Sequence, residues 1–394
     1  MDVKLFTILA YYQSSTVPRE SERGIMSKVL LHTPDGVRDI YGEECSDKKI
    51  IAEKIHGKMK SFGYQDIDTP TFEYFDVFAE EINTTDAKEL YKFFDKEGNT
   101  LVLRPDFTPS IARCASKVLL ENGTPVRVCY EGKAFLNTSN LQGKLKENYN
   151  IGVELMNDDS VMADAEMIAL LVSCLKSAGL SDFQISVGDA GFYKGLCIEA
   201  GIDNETEAAI REQITSKNYF AAESLMNERN IDSKYIDQIL KVSEFIGSDD
   251  ALDKAENIAN NEMSLNAVKR LKKLYKVLTS YGVQKYISFD LSVLSKFNYY
   301  TGVIFSAYTY GAPDAIAKGG RYDNLLGKYG KDAPAIGFVI ILDDLISACK
   351  RQGIEFEHEA SAISVTYNED NFDDALKKAT DLRQQGKNVC LLHE

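Results

Sequence analysis

In the run ENYNIGVELM (147–156), Asn150, Gly152 and Glu154 alternate with Ile151, Val153 and Leu155. Strand residues two apart share a face. An amide and a carboxylate therefore stand at the two ends of a floor whose middle carries no side chain. A ligand can approach the backbone closely over such a glycine; a polar sheet face open to water gives the same pattern. In LRPDFTPS (103–110), Asp106 and Thr108 set a carboxylate beside a hydroxyl, a pair suited to an ammonium group. The same two residues would equally serve a helix opened by Pro109, with Thr108 as its N-cap and Asp106 against its positive end. FNYYTG (297–302) sets Tyr299 and Tyr300 ahead of Thr301 and Gly302. Adjacent strand residues point to opposite faces, so one tyrosine is expected in a pocket and the other in the core. KGGRYDNLLGKYG (318–330) has paired glycines before Arg321, the composition of a tight turn where backbone meets ligand. Its spacing is not that of a phosphate-binding loop.

No catalytic set emerges from these groups. There is no serine, histidine and aspartate grouping that the chain order brings together, and no P-loop. The seven cysteines include no CxxC pair and only four histidines exist, so no metal site is expected. Scattered cysteines fit small buried hydrophobes in a reducing cytoplasm. The formal net charge is −15, and no basic run offers a phosphate-gripping stripe, which disfavours nucleic acid as a partner. No apolar run reaches the ~18 residues of a membrane span.

The scaffold that must position these residues reads as α+β. Ile51, Ile55, Met59 and Phe62 recur at helical spacing and predict a helix over 48–62, stopped by Gly63. Strands are expected at 64–70, 100–103, 126–130 and 147–156, with a helix from Thr108 through Val118 and another over 160–178. From 191 to 282 helical spacing and charge dominate and strand signals vanish. Strands resume at 286–292, 301–310 and 335–342, and the chain closes on a β-α-β pattern. The expected organisation is a disordered or spurious extension over 1–25, a core over 26–190 and 283–350, a helical insertion over 191–282 and a short terminal segment over 351–394.

Taken together and in order, these segments resemble the catalytic core of class II histidyl-tRNA synthetases. LRPDFT (103–108) is similar to the family's Leu-Arg-Pro-Glu-x-Thr. YEGKAFLN with NYNIGVELM (130–156) is similar to its second signature motif. FNYYTGVIF (297–305) and GGRYDNLL (319–326) are similar to its two histidine-specific motifs, and PAIGFVIILDDL (334–345) to its third signature motif. The resemblance implies an antiparallel sheet flanked by helices. It also implies a histidine site in which Glu154 with Tyr299 or Tyr300 meets the imidazole, and Asp106, Thr108 and Asn150 meet the ammonium. Asp106 stands for a glutamate and Asn150 for a glutamine, so each arm is one methylene shorter.

The departures from the family fall on its arginines. Leu136, Ser295 and Asp344 stand where synthetases carry the arginines that hold ATP or stabilise adenylate formation, and Ile341 replaces a glycine. A planar guanidinium pairs with phosphate oxygens through two bonds, and none of these side chains can do so. Losing one such cation costs about 10²–10³ in rate. Residues 353–394 are also shorter than the family's anticodon-binding domain. A synthetase-like core changed in this way is similar to the regulatory subunits of ATP phosphoribosyltransferase, and LLHTPDGVRDIYGEE (30–44) resembles their beginning. That subfamily implies no catalysis and no cofactor, a short-form catalytic subunit as partner, free histidine as effector, and a homodimer within a hetero-oligomer. The competing expectations are a synthetase-like module that senses tRNA and a divergent histidyl-tRNA synthetase.

Overall fold

The computed structural model describes residues 31–78, 85–121, 123–138, 145–294, 299–358 and 362–394. The extension expected at 1–25 and the position of Ser295 lie outside them. The first helix, α1 (Gly42–Ser61), opens with Glu43 and Glu44 and closes with Lys58 and Lys60, charges that complement its dipole. It buries Ile51, Ala52, Ile55 and Met59. Gly63, at φ +85°, then reverses the chain.

The strands follow as β1 (Gln65–Asp66), β2 (Phe72–Tyr74), β3 (Lys92–Phe94) and β4 (Thr100–Leu103). Helix α2 (Thr108–Cys114) leads to β5 (Val126–Phe135), β6 (Glu147–Met156), helix α3 (Val161–Ser177) and β7 (Phe183–Asp189). Next come α4 (Ala190–Glu199), α5 (Asn204–Thr215), α6 (Tyr219–Glu228), α7 (Ser233–Lys241), β8 (Ile246–Gly247), α8 (Asp249–Ile258) and α9 (Glu262–Ser280). The chain ends through β9 (Ile287–Asp290), β10 (Val303–Thr309), β11 (Ala317–Arg321), β12 (Ala335–Ile341), α10 (Leu342–Arg351), β13 (Ile363–Tyr367), α11 (Phe372–Gln384) and β14 (Val389–His393).

Among the described residues, nine strands form one sheet in the order β1-β5-β6-β12-β11-β10-β7-β9-β8. Its pairs are antiparallel except β1 with β5 and β7 with β9. Strand β6 lies between β5 and β12, and both of its faces are buried along Ile151–Met156. One face meets α1 and α3 in the main core; the other holds Phe107, Tyr130, Met156 and Tyr322 in a second, smaller core. This is the α+β, largely antiparallel architecture expected from the sequence. Ile210, Leu252, Leu271 and Leu274 of the helical run share the main core with Ile151, Val187 and Phe305 of the sheet.

Four local expectations change. The strand expected at 64–70 contracts to Gln65–Asp66, because Pro70 lacks an N–H and the Thr69 carbonyl accepts from Arg104 Nη1 instead, at 2.7 Å. A short strand, β8, interrupts the helical run by pairing Ile246 with Asp290. The helix at Thr108 ends at Cys114 and continues as one wider turn, in which Leu120 N donates to Ala115 O. Gly319 and Gly320 sit inside β11 and make no turn. Bare backbone is needed there because a Cβ would fall 2.5 Å from the Phe305 ring at Gly319 and 2.6 Å from the Tyr300 ring at Gly320.

Candidate functional site

Glu154 stands at the centre of the smaller core, 1% exposed. Register sets it opposite Val128 on β5 and Gly337 on β12. Its carboxyl lies across Gly337, where a Cβ would come within 1.7 Å of Oε2. Thr108 Oγ1 donates to Oε1 at 2.8 Å, and the Tyr322 hydroxyl donates to Oε2. The Tyr130 hydroxyl is a third partner. Burial pushes the Glu154 carboxyl up to about 8; the three hydroxyls oppose that shift and the negative charge of Asp106 adds to it. The side chain therefore holds its proton well above the usual carboxylate range.

Asp106 opens α2. Its Oδ1 accepts from the N–H of Phe107 at 2.6 Å and of Thr108 at 3.4 Å. Burial raises its pKa and those two N–H groups pull it back. Phe107 stacks on Tyr130 with ring centroids 4.5 Å apart, and the Arg104 guanidinium lies 3.8 Å from the Phe107 centroid. Arg104 donates from Nε to the Lys133 carbonyl at 2.9 Å.

Several sequence readings are corrected at this point. Thr108 is not an N-cap: the cap position is Phe107, without a side-chain bond, and the Thr108 hydroxyl turns to Glu154. Tyr299 and Tyr300 do not part to opposite faces. They lie in a turn ahead of β10, with centroids 4.5 Å apart, and Tyr299 meets Tyr322 edge-on at 6.0 Å. The floor over Gly152 is not open, because the Tyr130 ring covers it: a Cβ there would fall 2.4 Å from Tyr130 and 2.5 Å from the Phe338 carbonyl. Asn150 occupies the same face of β6, opposite Gly132 and Ile341. Its Oδ1 is buried and without a hydrogen-bond partner among the described residues.

The structure thus brings Asp106, Thr108, Glu154, Tyr299 and Tyr300 into one cluster. Charge on Asp106 and Glu154 is felt at both tyrosines. Tyr130 and Tyr322 join it, and the sequence reading missed both. Their signals were present as the glycine that Tyr130 faces across β5 and β6, and as the aromatic that follows Gly319-Gly320-Arg321.

Of the positions that the resemblance matches to synthetase arginines, Leu136 follows β5 and donates its N–H to the Lys146 carbonyl at 2.9 Å. Asp344 lies in the first turn of α10 beside Asp343. Asp343 accepts from Lys48 Nζ and from Tyr149 N, each at 2.8 Å. Arg321 is turned away from the cluster. Its Nε and Nη2 donate to Asp164 Oδ1 at 2.9 and 2.6 Å, and Arg270 Nε takes Asp164 Oδ2 at 2.7 Å. A cavity of about 320 Å³ lies beside α10, lined by Arg38, Glu44, Lys48, Asp343, Lys350 and Arg351. Of its four cations, Arg38 pairs with Glu44, Lys48 with Asp343 and Lys350 with Asp47, while Arg351 Nη1 donates to the Gly311 carbonyl at 2.6 Å.

A family model described as histidyl-tRNA synthetase matches residues 36–345. An ATP phosphoribosyltransferase regulatory subunit from Acetivibrio thermocellus is 38% identical over 361 residues, 92% of this chain and 86% of that protein. The chain belongs to the family of ATP phosphoribosyltransferase regulatory subunits. A further regulatory subunit of this family, from Ruminiclostridium cellulolyticum, is 36% identical over 92% of this chain and 87% of its own length. Among solved structures, an ATP phosphoribosyltransferase regulatory subunit/histidyl-tRNA synthetase from Bacillus halodurans superposes with a TM-score of 0.84 at 30% identity, covering 92% of this chain and 93% of that one. The histidyl-tRNA synthetase of a Nostoc species, at 22% identity and a TM-score of 0.77 over 92% of this chain and 86% of its own, shares the fold.

Proposed function

We propose that the chain is a non-catalytic regulatory subunit. It binds free histidine in the Glu154 cluster, is required by a short-form ATP phosphoribosyltransferase catalytic subunit for activity, and transmits feedback inhibition to it. It works in the cytoplasm, as a homodimer within a hetero-oligomer. The observation that carries this reading is the pairing of an acid- and hydroxyl-rich cluster with an absence of phosphate-holding cations at the family's positions. Leu136 and Asp344 stand where guanidinium groups would be needed, and Arg321 of the neighbouring motif is committed to Asp164. An amino acid offers an ammonium to Asp106 and Thr108 and to the Asn150 oxygen, which has no partner among the described residues. ATP would meet Asp344, a like charge, with leucine at position 136 and Arg321 held by Asp164.

Regulation follows from linkage. Histidine shifts the complex only as far as it binds the inhibited arrangement better than the active one, and a tenfold preference corresponds to about 1.4 kcal/mol. Calorimetric titration of histidine into the purified chain tests the site. Asp106→Ala removes a charge-assisted partner of the ammonium, with an expected loss of about 1.5–3 kcal/mol, roughly ten- to a hundredfold in Kd. Tyr300→Phe is expected to weaken binding by a smaller factor. If both variants bind histidine as the parent does, the pocket assignment fails even though the family stands. Histidine-dependent ATP–pyrophosphate exchange by the chain alone would favour the synthetase reading instead.

A further inference from the structure

We propose that His56, Asp66 and Cys129 form a binding site for one thiophilic divalent cation, with zinc the best match. The three donors come from three elements: His56 from α1, Asp66 from β1 and Cys129 from β5. Their ligand atoms all lie within 4.8 Å of one another. Asp66 and Cys129 are direct register partners in the parallel β1–β5 pair, so their side chains leave the sheet on the same side. His56 Nε2 lies 2.6 Å and Cys129 Sγ 3.4 Å from Asp66 Oδ1.

A nitrogen, a carboxylate oxygen and a sulfur are the donor types zinc takes, at about 2.0–2.3 Å and in tetrahedral geometry. Accommodating the ion requires the His56–Asp66 contact to open to about 3.3 Å, the edge of such a tetrahedron. Both side chains can move that far, being 38% and 63% exposed. Lys60, one helical turn from His56 on the same face of α1, holds Asp66 Oδ2 at 2.8 Å. That contact leaves Oδ1 directed at the other two donors, as an outer-shell partner does in metal sites.

Charge balance also fits. A thiolate and a carboxylate neutralise the ion, while Lys60 keeps its own oxygen. The Cys129 thiol gives up its proton to solvent as the metal binds. The site lies on the opposite side of the sheet from the Glu154 cluster: Cys129 pairs with Val153, whereas its neighbours Val128 and Tyr130 pair with Glu154 and Gly152. It would clip α1 to the short edge strand β1.

The test uses the full chain, stripped with a chelator and titrated with zinc by calorimetry and with cobalt by absorption. One equivalent of zinc is expected to bind and to raise the melting temperature. A thiolate-to-cobalt charge-transfer band is expected in the parent and in Cys390→Ser. Cys129→Ser should abolish the band, and His56→Ala, a change at a partly exposed helix position, should weaken zinc binding at least tenfold. The proposal is overturned if the parent binds no zinc, if the cobalt band survives Cys129→Ser, or if zinc binds His56→Ala and Cys129→Ser as it binds the parent. Any of these would leave an ion network of His56, Asp66 and Lys60 only.

Discussion

At the scale of single residues, the Glu154 carboxyl is held neutral by its surroundings. Glu154 has a folded pKa of about 8 against an ordinary 4.5. Between those values the unfolded chain releases its proton while the folded chain retains it. The unfolded state then binds fewer protons, so stability falls as pH rises through that window. Glu154→Gln carries no titrating group and is expected to flatten the decline, read as melting temperature against pH; an unchanged slope would assign the decline to other groups. Thr108→Val removes the donor to Glu154 Oε1 and leaves that buried oxygen short of a partner, at an expected cost of about 1–3 kcal/mol in denaturant unfolding. The residue types of this site were legible in the sequence, since Asp106, Thr108, Glu154 and both tyrosines meet in space. Their partners were not. Helix-capping chemistry at Thr108 and strand alternation at Tyr299 and Tyr300 are local rules. In this molecule a buried carboxyl outbids the cap for the Thr108 hydroxyl, and the two tyrosines precede the strand that would have separated them.

At the scale of elements, register decides what a glycine is for. Gly152 and Gly337 flank Glu154 in adjoining strands, and neither offers space to a ligand: one receives the Tyr130 ring and the other the Glu154 carboxyl. Gly337→Ala sets a methyl group against Glu154 and against the Val153 carbonyl, 2.5 Å away. It should destabilise the chain by about 1–3 kcal/mol or more, and it should weaken histidine binding by displacing the carboxyl. Asp164 ties three elements together, α3 through its own backbone, β11 through Arg321 and α9 through Arg270. It is wholly buried, and removing it leaves Arg321 with Asp323 and the Asp158 carbonyl and Arg270 with the Asp159 carbonyl alone. Asp164→Ala is therefore expected to cost about 3–5 kcal/mol, a loss measured by chemical unfolding. The existence of β6, β12 and α3 could be read from periodicity alone, because their apolar spacing is long and regular. The role of Gly319-Gly320 could not, because a glycine pair fits a turn as well as a strand facing large rings, and only the neighbours of β11 distinguish the two.

At the scale of the whole molecule, a synthetase-like frame holds a buried acid- and hydroxyl-rich cluster, and the proposed regulatory function rests on that cluster together with Leu136 and Asp344. The fold class was readable because the motifs occur in order along most of the chain. The metal cluster was not, since Cys129 lies 63 residues beyond Asp66 and no spacing rule joins it to His56 and Asp66; the β1–β5 register does. The measurement that bears most directly on the regulatory reading is phosphoribosyl transfer by a short-form catalytic subunit, followed over a histidine titration with and without this chain. Transfer is expected to require the chain and to fall as histidine rises, with the midpoint moving to higher histidine in Asp106→Ala. Transfer that proceeds equally without the chain, or that ignores histidine in its presence, would contradict the account.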